Sequence, residues 1–218
     1  MNPYASIETV FSRNRETNKL NFGHLRNPAH VAIGTWEISE KIDGMNIRAI
    51  VTANGVEVRG RSDNANLPGD LVAHVKSLFT PEAVILKFPE ISDIPDWTVT
   101  FYGEGYGAGI QKGGGYSATK KFRCFDICLG ERDWLSGSAM RFICWELKVP
   151  RVPALGLIKW VPRTLEDLTE ILPESIVALE DRQATDIPAE GIVAKPSEVL
   201  YDSRGNRVMW KLTFREFN

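Results

Sequence analysis

The sequence predicts an α+β chain built on antiparallel sheets. Three observations carry this reading. Short strand-like runs bounded by turn residues dominate the 218 residues. An Asn-Gly dipeptide, Asn54-Gly55, separates two alternating apolar runs and is a strong hairpin signal. Helical apolar spacing is confined to a few segments, as expected where helices flank sheets.

A strand is expected to end at Glu40-Lys41-Ile42-Asp43-Gly44, just ahead of the hairpin over 46–62. A two-residue loop at Asn54-Gly55 sets Ala53 opposite Val56, Val51 opposite Val58, Ala49 opposite Gly60 and Ile47 opposite Ser62. That face is apolar and belongs to a core. The other face then pairs Ile50 with Arg59, Arg48 with Arg61, and Asn46 with Asp63. Two arginines directly opposed are unfavourable unless an anion lies between them, so this face is a candidate anion site.

A helix follows over about 68–79, with Leu71, Val75 and Leu78 on one face. Residues 99–102 form a strand that enters a glycine-rich turn, and 122–128 form another. A second helix starts at Thr164, where Thr164 and Asp167 make a capping box ahead of Leu165, Leu168, Ile171 and Leu172. Strands over 192–195 and 207–213 are joined by a turn near Arg204-Gly205-Asn206. In the last strand Arg207, Met209, Lys211 and Thr213 share a face.

Composition is that of a globular protein: 43% hydrophobic, 25% charged, 18 Gly and 12 Pro. No apolar run approaches the roughly 20 residues of a membrane span, and the N-terminus lacks signal-peptide character. An intracellular, cytoplasmic location is expected, without membrane association. Three Cys (Cys124, Cys128, Cys144) without paired spacing, far in sequence from the three His, read as buried thiols and not as disulfides or zinc ligands. The net charge of −2 leaves local basic clusters at 112–123 (Lys112, Lys120, Lys121, Arg123) and 204–215 (Arg204, Arg207, Lys211, Arg215).

Lys41 is the candidate nucleophile, because a lysine at a strand end beside Arg48 and Arg61 sits in the cationic surroundings that activate an amine. Read alone, Lys-x-Asp-Gly is a surface lysine before a tight turn. Four further elements follow in order: Tyr102-Gly103-Glu104-Gly105, Phe125-Asp126, Glu190-Gly191-Ile192-Val193-Ala194-Lys195, and Trp210-Lys211-Leu212. This ordered set resembles the covalent nucleotidyltransferases, which comprise DNA ligases, RNA ligases and capping enzymes. Over about residues 36–215 the chain looks most like the phage-type ATP-dependent RNA ligases, through KIDGMN above all.

The resemblance implies a nucleotidyltransferase, ATP-grasp-like fold of antiparallel sheets with flanking helices and a central nucleotide cleft. It implies one adenylyltransferase domain over 1–218 without an appended C-terminal domain. Lys41 would carry AMP, with Glu190 at the metal and Lys211 at the α-phosphate as the other catalytic groups. Glu40, Ile42, Asn46, Arg61, Glu104 (ribose), Phe125 (adenine) and Lys195 would serve ATP. Arg48, Lys112, Lys120 and Lys121 would contact nucleic acid, the last three from the glycine-rich segment 105–121. ATP and Mg2+ (or Mn2+) are the implied cofactors, and RNA ends or nicks the implied partners of a monomer in the cytoplasm, or the host cytoplasm if phage-encoded. A small DNA ligase and a non-catalytic nucleotide or nucleic-acid binder are the alternatives. One departure stands out: such ligases carry Lys-x-Lys in the last motif, and here Thr213 takes the second lysine's place.

Overall fold

The computed structural model describes residues 3–111, 115–185 and 187–217. In chain order the elements are β1 (Phe11–Arg13), β2 (Leu20–Leu25), β3 (Trp36–Lys41), β4 (Met45–Thr52), β5 (Gly55–Gly60), α1 (Gly69–Ser77) and α2 (Pro81–Ile85). There follow β6 (Thr98–Tyr106), β7 (Lys121–Leu129), β8 (Asp133–Trp134), α3 (Gly137–Glu146), β9 (Ala154–Ile158), α4 (Leu165–Ile171), α5 (Ile176–Arg182), β10 (Gly191–Lys195) and β11 (Trp210–Thr213). The class is α+β with antiparallel sheets, as the sequence predicts. Among the described residues no helix is long and apolar enough to cross a membrane. Two compact units form, one from Asp43–Val152 with the N-terminal residues up to Ala5, the other from Ser6–Ile42 and Pro153–Asn218.

In the unit of Asp43–Val152, five strands run in the order β5-β4-β6-β7-β8. Alternation along β4 turns Ile47, Ala49 and Val51 to one face, opposite Gly103, Phe101 and Val99 of β6. These meet Leu71 and Val75 of α1 and Met140 and Ile143 of α3 in one core. Each fully buried large apolar side chain there contributes roughly 1.5–3 kcal/mol. Helix α1 lies where its spacing predicts.

The β4–β5 register differs from expectation. Thr52 pairs with Gly55, so the loop is Ala53-Asn54, and Arg48 faces Arg59 where Arg61 was expected. The reason lies in the backbone: Gly55 alone in this turn has positive φ (134°), and it closes the hairpin from the strand side instead of sitting inside a two-residue loop. The shift is even, so the apolar face is unchanged. The two opposed arginines do share an anion, and it is the chain's own. Asp63 Oδ1 accepts from Arg48 Nη2 at 2.7 Å and lies 3.2 Å from Arg59 Nη1.

In the other unit, β11-β10-β3-β9 form an antiparallel sheet and β1-β2 a separate hairpin. Strand β3 alternates buried and half-buried positions along its whole length. Its buried face carries Trp36 and Ile38, joined by Ile192, Ala194, Trp210 and Leu212 and covered by Leu168 and Leu172. Trp36 and Trp210 meet edge-on, with centroids 5.6 Å apart. Helix α4 begins with the capping box read from the sequence, since Thr164 and Asp167 cap each other's backbone N–H groups. Strand β11 is shorter than predicted. Asp202 Oδ1 accepts from the N–H groups of Arg204 and Asn206, and that turn draws Arg207 into a bridge with Tyr201 and away from the strand.

Candidate active site

The polar face of the β3-β10-β11 sheet gathers the reactive side chains. Register places Lys41, Gly191 and Thr213 in one cross-strand row, with Ser39, Val193 and Lys211 in the next. Gly191 has no side chain to separate the rows, and it can have none: a Cβ there would lie 2.2 Å from the carbonyl oxygen of Leu212. The neighbouring residue, Glu190, forms an ion pair with the Lys41 ammonium. Its backbone carbonyl accepts from Phe214 N–H at 3.1 Å, which fixes the turn into β10. Lys41 and Glu190 are both largely buried, with side chains 23% and 15% exposed.

Lys211 stands on the same face. Its backbone is held on β11's free edge as well, where its N–H donates to Glu8 O and its carbonyl accepts from Val10 N–H. Burial lowers its ammonium pKa from the usual lysine value, and the nearby Lys41 lowers it further. The three family-implied catalytic residues, Lys41, Glu190 and Lys211, thus form one electrostatic cluster. Thr213 is fully buried, and its hydroxyl has no hydrogen-bond partner among the described residues.

Glu40 points the other way. It lies on the apolar face, 1% exposed, where its carboxylate accepts from Ser175 Oγ at 2.5 Å and from Val177 N–H at 3.1 Å. Ser175 in turn caps α5 through Ala178 N–H. A buried charge held by the first turn of a helix is a positional anchor, so the residue beside Lys41 ties β3 to α5. Ile42 is likewise buried, 3% exposed. Sequence spacing gave no sign of Ser175 in this role.

In the unit of Asp43–Val152 the motif glycine Gly44 is required by close approach, because a Cβ would lie 2.3 Å from the carbonyl oxygen of Gly105. This brings the start of β4 against β6. Asn46, Glu104 and Arg123 then form one cross-strand row, and Arg48, Tyr102 and Asp126 the next. Asn46 Oδ1 is buried without a hydrogen-bond partner among the described residues.

Phe125 occupies a β-bulge. Tyr102 pairs with Asp126 while Gly103 pairs with Cys124, which leaves Phe125 as the extra residue. Bulges re-aim a side chain and recur next to functional sites. The Phe125 ring meets Tyr4 edge-on at 4.9 Å, and the Tyr4 hydroxyl donates to Asp126 at 2.7 Å. Sequence reading missed Tyr4, for which no local motif exists.

Several predicted nucleic-acid contacts are engaged elsewhere. The Arg48 side chain has no exposed surface, donates to Gly60 O at 2.9 Å and pairs with Asp63. The guanidinium is engaged by Asp63, whose carboxylate stays 60% exposed, so Arg48 itself offers no surface to nucleic acid. Arg123 is buried and donates to the Tyr106 hydroxyl at 2.9 Å, so the cluster over 112–123 is not a continuous basic surface. Lys120 pairs with Asp70 at 2.7 Å. Lys121 is half-buried at the start of β7 and Arg61 is exposed after β5. Lys112 lies outside the described residues. Lys195 pairs in register with Glu37 at the far end of β10 from Gly191. All three cysteines are free and buried, as read from the sequence.

Among the described residues no group of three or more His, Cys, Asp or Glu is arranged to hold a metal alone. The carboxylate available beside Lys41 is that of Glu190. This donor set fits a Mg2+-type ion that takes most of its oxygens from phosphates and water.

Comparison with known proteins places these features in one family. The family model described as RNA ligase matches residues 34–213. Among solved structures, a lysine-to-alanine mutant of the Naegleria gruberi RNA ligase with ATP and Mn aligns with a TM-score of 0.63 at 16% identity, covering 95% of this chain and 61% of that one. A second lysine-to-alanine mutant of the Naegleria gruberi enzyme, in its apo form, aligns at 0.62 and 16% identity, covering 98% and 60%. A glutamate-to-alanine mutant with AMP and Mn aligns at 0.62 and 17% identity, covering 97% and 61%. The chain therefore spans about 60% of the length of the solved ligases it matches. No curated protein matches it. The match over 34–213 takes in every motif from Lys41 to Lys211, and the chain belongs to the RNA ligase family.

Proposed function

We propose that this chain is an ATP-dependent RNA ligase that joins 5′-phosphate and 3′-hydroxyl ends through AMP carried on Lys41. The observation that carries the reading is the Lys41–Glu190 ion pair with Lys211 on the same sheet face. Further support comes from the ATP, AMP and Mn named with the Naegleria ligase structures.

Lys41 Nζ, once its proton has passed to water, attacks the α-phosphorus of ATP. A P–N bond forms and the P–O bond to pyrophosphate breaks. Lys211 supplies positive charge to the α-phosphate oxygens as negative charge builds there. Mg2+ or Mn2+, held by Glu190 and phosphate oxygens, would neutralise further charge on the leaving pyrophosphate. The AMP then passes to a 5′-phosphate with cleavage of the P–N bond, and a 3′-hydroxyl displaces AMP to seal the strand. By family resemblance Glu104 would serve the ribose and Phe125 the adenine, with Asn46, Arg61 and Lys195 as further ATP contacts, whereas Glu40 and Ile42, buried on the apolar face, position Lys41.

Incubation with ATP and magnesium followed by intact mass measurement tests the reading. A gain of one AMP supports it. No gain, with ATP still bound, supports the non-catalytic binder, a reading favoured by Thr213 in place of a second cation. Sealing of nicks with RNA or DNA on the 3′-hydroxyl side then separates an RNA ligase from a DNA ligase.

A further inference from the structure

The β1–β2 hairpin and the C-terminal turn border an open pocket of about 380 Å³, lined by Arg13, Lys19, Phe22, Arg215, Glu216 and Phe217 among others. Its walls are built and not incidental. Arg13 Nη2 donates to Glu216 Oε1 at 2.7 Å, while Arg13 Nη1 donates to Asn18 O at 2.9 Å. One guanidinium thus clamps the hairpin turn to the C-terminal turn. The hairpin turn is itself ordered by Asn14, whose Oδ1 accepts from the N–H groups of Glu16 and Thr17. Phe22 and Phe217 stack at 5.0 Å with 14° between their planes.

The charge balance in this pocket is positive. Glu216 is fully committed: Oε1 to Arg13 and Oε2 to Thr213 N–H at 2.9 Å. Arg13 therefore cancels Glu216, and Lys19 and Arg215 remain, neither with an ion-pair partner among the described residues. Two cations beside an aromatic stack suit a phosphodiester with its sugar or base. The Glu216–Thr213 bond also joins this pocket directly to β11, the strand that carries Lys211.

We propose that this pocket is a binding site for the backbone of a single-stranded RNA segment next to the end being joined, with Lys19 and Arg215 on its phosphates and the Phe22–Phe217 stack against a base or sugar. The proposal rests on the RNA ligase reading above. It supplies the grip that a net charge of −2 does not provide at long range.

The test measures binding of a short 5′-phosphorylated, fluorescently labelled RNA to the full chain across a salt series. The partners are Lys19→Ala with Arg215→Ala, and Lys19→Glu with Lys19→Arg as its charge-preserving control. Both positions are exposed, so the fold tolerates the changes. The double variant is expected to bind about tenfold more weakly and to lose about 1.4 from the log–log salt slope, at ~0.7 per lost single-strand contact. Lys19→Arg should bind like the wild type, and Lys19→Glu should still take up AMP. Unchanged affinity and slope in the double variant overturn the proposal. So does displacement of the RNA by inorganic phosphate or ATP at matched concentration, which would mark a free-phosphate site. A DNA strand of the same sequence that binds equally well overturns the assignment to RNA. A wild type that takes up AMP but does not bind RNA overturns this proposal alone, whereas a wild type that binds RNA but never takes up AMP overturns the catalytic reading and leaves the binding site standing.

Discussion

Lys41 and Thr213 lie in one cross-strand row, with only Gly191 between them. Related ligases are expected to have a lysine where this chain has Thr213, yet the Thr213 hydroxyl is buried and unpartnered among the described residues. An unpaired buried hydroxyl costs roughly 1–3 kcal/mol. Thr213→Val keeps the shape and removes the hydroxyl, so it should raise stability by about 1 kcal/mol and leave AMP uptake unchanged. Denaturant unfolding together with an adenylylation assay checks both. A tenfold loss of uptake with unchanged stability would show that the hydroxyl takes part in the chemistry.

Burial first, and then the neighbouring Lys41, disfavour the charged form of Lys211. Its folded pKa is lowered, so the folded state binds this proton less tightly than the unfolded state does. The resulting penalty is fully present below the folded pKa and is relieved as pH rises from there towards the ordinary lysine value. Lys211→Met should therefore be at least as stable as the wild type at neutral pH, and the advantage should shrink in alkaline solution. The same variant should lose AMP uptake by on the order of 10²–10³-fold, the usual effect of removing a group that stabilises transition-state charge. Lower stability at neutral pH would mean that the ammonium is structural.

Glu40 reports on how Lys41 is positioned. Its carboxylate joins β3 to Ser175 and Val177. Ser175→Ala removes one bond to a buried charge and should cost about 1.5–3 kcal/mol, with AMP uptake falling chiefly at temperatures near unfolding. Thermal melts and uptake at two temperatures test this. Full stability in Ser175→Ala would mean that Glu40 is anchored elsewhere.

Asp63 holds the buried Arg48 first and Arg59 second, and both lower its pKa. Its contribution to stability is present above the ordinary aspartate pKa and is lost as pH falls through the lowered folded value. Asp63→Asn should thus be less stable than the wild type at pH 7, and the two should converge in strong acid. A gap that persists at low pH would place the effect in packing.

The parts of this fold read most readily from sequence are those set by local rules. The Thr164–Asp167 capping box, α1 and the apolar face of β4 all follow from spacing over a few residues. The motif glycines were legible for a physical reason as well, since Gly44 and Gly191 sit where a Cβ would strike a neighbouring carbonyl. What escaped depends on partners distant in sequence. Asp63 as the anion for Arg48 required the true β4–β5 register, which the Asn-Gly signal misplaced by moving Gly55 into the loop. Phe125's bulge breaks the period of two that locates strands. Tyr4 reaches Asp126 across 122 residues, and the β1–β2 hairpin lacks both alternation and a short turn signal. Within the site, Lys41 was marked by its place at a strand end, whereas Glu190 and Lys211 entered through the ordered motifs of the family resemblance. Ser175 and the pocket beside Arg215 were not legible, because neither leaves a motif.

The most direct measurement is a mass spectrum of the chain after incubation with ATP and magnesium, with peptide mapping of the product. The account predicts one added AMP, located on the peptide that contains Lys41 and absent from Lys41→Ala. AMP on another residue, or full labelling of Lys41→Ala, would contradict it.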